Sequence, residues 1–277
     1  MKKKFALLAL LILVIAAACG GNGDAQAPAT ADTPTPDSPV TIRIGASPVP
    51  HTIILEYIAD ELAEQGVLLD IVEFADFVMV NPALHEGQID ANYFQHGPFL
   101  ANWIADSGNE LTIITDVHIE PMSIYSETLT DLSQVPEGGT VALPNDAVNG
   151  GRALAVLESS GLIGLTEGVG IRATVRDIIY NPLNLSFMEL EAPIVPVALG
   201  DVDIAVINTN FALGVGLNPM RDALYMENPD SPFANILVTR PENADNEAIR
   251  ILAATLTTER VREFILERFE GAVVPAF

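Results

Sequence analysis

The chain has 277 residues, 49% hydrophobic and 6% aromatic, more than one hydrophobic core usually serves, so two lobes are expected. All three lysines lie at positions 2–4, and the rest of the chain carries 10 arginines against 37 carboxylates, a net charge of −27, which makes nucleic acid and anionic membrane surfaces poor partners for the body. The lone cysteine, Cys19, excludes an intramolecular disulfide.

Residues 1–18, MKKKFALLALLILVIAAA, have a basic start, an apolar core and small residues before Cys19, the layout of an export signal. Cleavage there would leave Cys19 as the new N-terminus, which resembles a bacterial lipobox with Ala16 in place of the commoner leucine. Lipidation of Cys19 is expected, tying the body to a membrane outside the cytoplasm. Residues 19–40 are rich in Gly, Ala, Pro, Thr and Asp without periodicity and read as a disordered tether, roughly 25 Å end to end as a flexible coil.

From residue 41, β-branched runs alternate with helical ones. TIRIGAS reads as a strand, and HTIILEYIADELAEQG as a helix with Ile54, Ile58 and Leu62 on one face. The strand LLDIVEF, the short helix NPALHEGQ, the strand IDANYF and the helix PFLANWIADSG come next, then LTIITDVHI and MSIYSE as two further strands of the same set. After DLSQVPEGG a second set follows: strand TVALP, helix GRALAVLESS, strand LSFMELE, helix PIVPVAL, strand IAVIN and a short helix near FALGVG. FANILVTRP reads as a strand, and NEAIRILAATLT and ERVREFILERF as two terminal helices. Alternation of this kind implies right-handed crossovers and mainly parallel sheets. The expected division is 41–127 with 229–277 as one lobe and 128–228 as the other.

Catalytic signatures are lacking: no GxSxG, HExxH, CxxC or GxxxxGK[ST] occurs, and GVGIRA (Gly168, Gly170, Ala173) follows no apolar strand, which weakens a dinucleotide reading. His51, His85, His96 and His118 show no paired spacing, so no metal site is expected. Carboxylate pairs are uninformative in a chain with 37 acids.

Three constellations do carry information. In PNDAVNGGRAL (144–154), Asn149 is expected as the N-cap of a helix beginning at Gly150. Arg152 then falls in the first turn, where a cation opposes the helix dipole by about 0.3–1 kcal/mol. A carboxylate clamp explains that placement, since a guanidinium matches a carboxylate at two points; pairing with one of the chain's own acids is the bland alternative. ANYFQHGPF (91–99) sets Tyr93, Phe94 and His96 at a strand's carboxyl end, where ligands of open α/β sheets bind, or else supplies ordinary core aromatics. IAVINTNFA (204–212) ends a buried strand with Asn208 and Asn210, amides suited to a ligand carboxylate and ammonium or to helix capping.

ANYFQH, VHIEPMSIYS, PNDAVNGGRAL, NPLNLSFMELEA, DVDIAVINTNFA, GLNP and GAVVPAF together resemble the NlpA/MetQ family of methionine-binding lipoproteins, in order over residues 41–277. The family's turn reads PNDP-T/S-N, and Ala147 and Val148 depart from it here. The resemblance implies an α/β, two-lobed type II periplasmic-binding-protein fold with a ligand cleft between the lobes. It also implies no cofactor, L-methionine as ligand and an ABC transporter permease and ATPase as partners. By the same resemblance Arg152 holds the ligand carboxylate, Asn149 and Asn208 its carboxylate and amino ends, and Tyr93, Phe94 and His96 line the side-chain pocket. Phe77, His118, Tyr125 and Glu191 are expected near the cleft. D-methionine, a methionine-containing dipeptide or another apolar amino acid remain alternative ligands. A surface hydrolase or an adhesin-like lipoprotein are the alternatives of a different class.

Overall fold

The structure, a computed structural model, describes residues 33–229 and 232–277. The export signal, Cys19 and most of the expected tether lie outside the described residues. Residues 33–39, read as the end of the tether, form a turn in which Thr35 bridges Ser38. Gly66 (φ +80°) lets this turn approach, since a Cβ there would meet the Thr35 backbone at 2.4 Å.

The first sheet is built from β1 (Val40–Ala46), β2 (Val67–Glu73), β3 (Ala91–His96) and β4 (Thr112–Ile119). Helices α1 (Ile53–Glu64), α2 (Val80–His85) and α3 (Gly97–Ser107) connect them. The second sheet takes β5 (Ser123–Tyr125) and β6 (Thr140–Pro144), and helix α4 (Ala147–Ser159) follows β6. A small ribbon of β7 (Gly164–Leu165) and β8 (Ile178–Tyr180) leads into β9 (Ser186–Leu190), β10 (Ile204–Ile207), α5 (Thr209–Gly214), α6 (Pro219–Asp222) and β11 (Tyr225–Met226). The chain then returns to the first sheet through β12 (Ala234–Thr239), α7 (Glu247–Leu256), α8 (Glu259–Phe269) and β13 (Val274–Pro275).

Strand order is β13-β4-β12-β3-β1-β2 in the first sheet and β11-β5-β10-β6-β9 in the second. Each is parallel across three strands, β2-β1-β3 and β10-β6-β9, and antiparallel beyond them. The antiparallel part of the first sheet arises because β12, returning late, inserts between β3 and β4. MSIYSE does form a strand, but β5 pairs with β10 and β11 of the second sheet. The change of sheet therefore falls between Ile119 and Ser123, upstream of Thr128.

Two large cores follow from this division. One gathers Ile44, Ile54, Leu55, Ile58 and Leu62 with Leu252, Leu256 and Ile265 of α7 and α8. The other gathers Ile124, Val141, Leu143, Leu154, Leu157 and Val206 under α4. The α1 spacing read from the sequence holds, as Ile54, Ile58 and Leu62 are all fully buried. PIVPVAL, expected as a helix, makes two 3₁₀ turns instead, Ala192–Ile194 and Val197–Asp201. Pro193 and Pro196, three residues apart, deprive an α-helix of two N–H donors in its first turns.

Candidate functional site

Helix α4 starts earlier than its sequence suggested. Asp146, not Asn149, is the N-cap, its carboxylate accepting from the Asn149 N–H at 2.9 Å. Arg152 is thus the sixth helical residue, in the second turn, so the expected conflict with the helix dipole does not arise. Asn149 and Arg152, three apart, share one face of α4, and both are buried. Gly151 lets α4 lie against the 3₁₀ turn Gly170–Arg172, where a Cβ would meet the Ile171 carbonyl oxygen at 2.1 Å.

Arg152 reaches the two segments that join the sheets. Its Nε donates to both Glu227 carboxylate oxygens at 3.1 and 3.2 Å, and its Nη2 donates to Glu227 and to the Glu120 carbonyl at 2.8 Å. The guanidinium also lies over the Phe233 ring, 4.0 Å from its centroid. Glu120 and Glu227 belong to the outgoing and returning connections, and Glu227 also accepts from the Met122 N–H at 3.1 Å. The chain's own acid therefore occupies one edge of the guanidinium, the alternative that the sequence left open.

A narrow, nearly closed cavity of about 20 Å³ lies between the sheets, lined by Phe77, Phe94, Gln95, His96, Phe99, Asn149 and Asn208. Its apolar walls are aromatic: Phe77 stands 6.0 Å from Phe94, 5.8 Å from Phe99 and 4.9 Å from Phe211 by ring centroid. His96 caps α3, its Nδ1 accepting from the Phe99 N–H at 3.2 Å. That contact fixes the tautomer with the proton on Nε2, which donates to Asn149 Oδ1 at 3.2 Å. Burial, with Arg152 adding repulsion, lowers the His96 pKa to about 3, so the ring is neutral at pH 7.

Asn149 is fully engaged: Oδ1 also accepts from Asn208 Nδ2 at 3.0 Å, and Nδ2 donates to Asp146. Asn208 Oδ1 is buried with no hydrogen-bond partner among the described residues. A buried orphan acceptor beside an aromatic cavity is the position an incoming N–H donor would satisfy.

Five of the expected residues therefore meet in one cavity: Phe77, Phe94, His96, Asn149 and Asn208. Phe99 and Gln95 line it too and were not singled out from sequence. Tyr93 is adjacent to Phe94 on β3, and neighbouring strand residues face opposite sides, so its ring packs at 4.6 Å from His51 rather than into the cavity. His118 hydrogen-bonds to the Tyr93 hydroxyl and to Glu120 on that same side. Tyr125 is fully buried among Val195, Leu199, Ala205 and Ile207 of the second sheet's other core, because β5 belongs to that sheet. Glu191 is exposed on a groove with Asp76, Val78, Met79 and Pro193, which shares Phe77 and Phe99 with the cavity. A wider, open depression of about 680 Å³ flanks α4 between Pro98 and Ile171, and the aromatic cluster lies outside it.

Residues 42–277 match the NlpA lipoprotein family. The chain is 40% identical over 211 residues to the D-methionine-binding lipoprotein MetQ of Escherichia coli K12, covering 76% of this chain and 78% of that one. It is 37% identical over 237 residues to the membrane lipoprotein TpN32 of Treponema pallidum, covering 85% and 88% of the two. Among solved structures, a nutrient binding protein from Burkholderia cenocepacia bound to methionine superposes with a TM-score of 0.83 at 36% identity, covering 85% of this chain and all of the other. The fold is thereby the two-lobed, type II binding-protein architecture.

Proposed function

This chain belongs to the NlpA lipoprotein family, and we propose that it captures methionine between its lobes outside the cytoplasm and delivers it to an ABC importer. The observation that carries the reading is the aromatic cavity with the unpartnered Asn208 Oδ1 at its polar end. Phe77, Phe94 and Phe99 present polarizable faces that suit a thioether, and Asn208 Oδ1 accepts from the ligand ammonium. The ligand carboxylate docks in the positive field of Arg152, sharing that guanidinium with Glu227. The E. coli relative is named for D-methionine and the B. cenocepacia structure holds methionine, which supports one amino acid in either configuration as the cargo.

Capture requires no covalent chemistry, and the protein acts as a binding protein, not an enzyme. The lobes follow the two sheets, β1–β4 with β12 and β13 in one and β5–β11 in the other, with Glu120 and Glu227 on the connections where the chain crosses. Cys19 carries the lipid that keeps the body at the membrane, and the permease and ATPase of an importer are its partners.

The test is calorimetry on the soluble form starting at Gly20, unfolded and refolded to remove carried ligand. One-to-one binding of L-methionine at micromolar affinity or tighter is expected. Folded protein that gives no heat with L- or D-methionine overturns the reading.

A further inference from the structure

The four histidines were scattered in the sequence, yet folding brings two of them to one carboxylate. His51 precedes α1, His118 ends β4 and Glu120 opens the connection to the second sheet; all three are buried, and their donor atoms lie within 4.8 Å of one another. We propose that His51, His118 and Glu120 form a binding site for one divalent transition-metal ion of the zinc class, at the foot of the interlobe connections. This does not rest on methionine being the cargo.

The geometry is close to what such an ion needs. His118 Nε2 is 2.8 Å and His51 Nε2 3.4 Å from the same oxygen, Glu120 Oε1. Asn235 Oδ1, 3.0 Å from His51 Nε2, stands at a fourth corner. A tetrahedral ion with ligands at ~2.0–2.2 Å sets donor-to-donor edges of ~3.3–3.5 Å. Of these three edges one already fits and the other two open by roughly half an ångström or less, while the His51 and His118 donor atoms lie within 4.8 Å of each other.

The chemistry of the donors agrees. Two imidazoles and a carboxylate suit zinc, cobalt or nickel rather than calcium or magnesium, which take oxygen cages. His118 is also held through its other nitrogen, Nδ1, by the Tyr93 hydroxyl, as metal-bound imidazoles are, whereas His51 Nδ1 has no hydrogen-bond partner among the described residues.

The position gives the ion a consequence. Glu120 lies on the outgoing connection, and its carbonyl accepts from Arg152; Asn235 lies just past the returning one. An ion bound here pins both connections to the first sheet and fixes the carbonyl that helps seat Arg152.

The experiment uses the untagged soluble chain from Gly20, stripped by chelator during refolding and shown folded by circular dichroism. It is titrated with Co²⁺ followed by its visible absorption, and with Zn²⁺ followed by elemental analysis after gel filtration in high salt, which screens the acidic surface. One ion per chain, with the spectrum of tetrahedral cobalt, is expected. Tyr93→Phe, which removes only the hydroxyl that orients His118, should weaken uptake about tenfold or more. His118→Gln should abolish it and lose the rise in Tm that Zn²⁺ gives the parent. No stoichiometric uptake by the folded parent overturns the site and leaves a plain hydrogen-bonded network. Uptake that His118→Gln retains overturns it as well, by placing the ion on surface carboxylates.

Discussion

Replacing Arg152 with alanine tests the link between helix α4 and the interlobe connections. The substitution removes three hydrogen bonds to Glu227, one to the Glu120 carbonyl and the stack on Phe233. Breaking a buried pair by deleting one partner costs about 3–5 kcal/mol, and the Glu227 side chain, 15% exposed, recovers some hydration, so the lower end, about 3 kcal/mol, is expected. Urea unfolding of ligand-free protein measures this, and the pair Arg152→Ala with Glu227→Ala should be less destabilised than the sum of the single changes by about 2 kcal/mol. A stability within about 0.5 kcal/mol of the parent would refute the structural role, since that is the range of an ordinary surface change. Calorimetry with L-methionine on the same variant reads the second role: affinity should fall by about 2–5 kcal/mol because the ligand carboxylate loses its cation. Unchanged affinity in folded Arg152→Ala would remove Arg152 from the ligand site while leaving the stability result standing.

Asn208→Leu removes the acceptor assigned to the ligand ammonium, and L-methionine affinity should drop about 10- to 100-fold, corresponding to about 1–3 kcal/mol for an unpaired polar group; a calorimetric titration indistinguishable from the parent would sink that role. Phe77→Ala strips one wall of the aromatic cavity and should cost about 1–2 kcal/mol of binding through lost apolar contact, with affinity for L-methionine as the readout. His96 has a folded pKa of about 3 against an ordinary 6.5, so the unfolded chain binds its proton first as pH falls. Its contribution to stability is complete above pH 6.5 and is lost at about 1.4 kcal/mol per pH unit as pH drops toward 3. Urea midpoints of the parent and His96→Gln compared across that window should diverge by the slope of one proton; parallel curves would show that His96 is not held neutral.

Element type was largely legible because the apolar periods were clean: α1, α3, α7, α8 and strands β1, β4, β6 and β10 fall where the sequence placed them. Sheet membership was less so. Nothing local in SIY distinguishes a strand that pairs with β4 from one that pairs with β10, and that choice moved Tyr125 into the second sheet's core. The start of α4 was misplaced by three residues because Asp146 and Asn149 are both good caps, and only the fold decides which N–H groups need one. Residue types singled out Phe94, His96, Asn149 and Asn208, which line one cavity, yet strand alternation, visible in ANYFQH itself, should have separated Tyr93 from Phe94. Alternation in VHIEP carries a similar signal, setting His118 and Glu120 two apart. The partner of Arg152 was beyond reach: Glu227 lies 75 residues away in a segment with no periodic pattern.

These placements bear on how a ligand is sensed. His96 and the phenylalanines come from elements of the first sheet, Asn149 and Asn208 from elements of the second, and the His96–Asn149 hydrogen bond already joins the two. A ligand held by both sides favours the closed arrangement only by the difference in its affinity for the closed and open forms. Shifting the balance from 1:99 to 99:1 takes about 5.5 kcal/mol of such difference. The aromatic walls and Asn208 can supply part of that through contact. Arg152 can supply the rest in another way, because its guanidinium is bonded to both connections, and a second carboxylate competing with Glu227 changes the strength of those bonds. The charged end of the ligand would then be read where the chain crosses between sheets, while its side chain is read in the cavity. An uncharged analogue such as methioninol should fill the cavity yet close the lobes less completely than methionine. Small-angle scattering at saturating concentrations of each would compare the two, and equal compaction would confine closure to the cavity contacts alone.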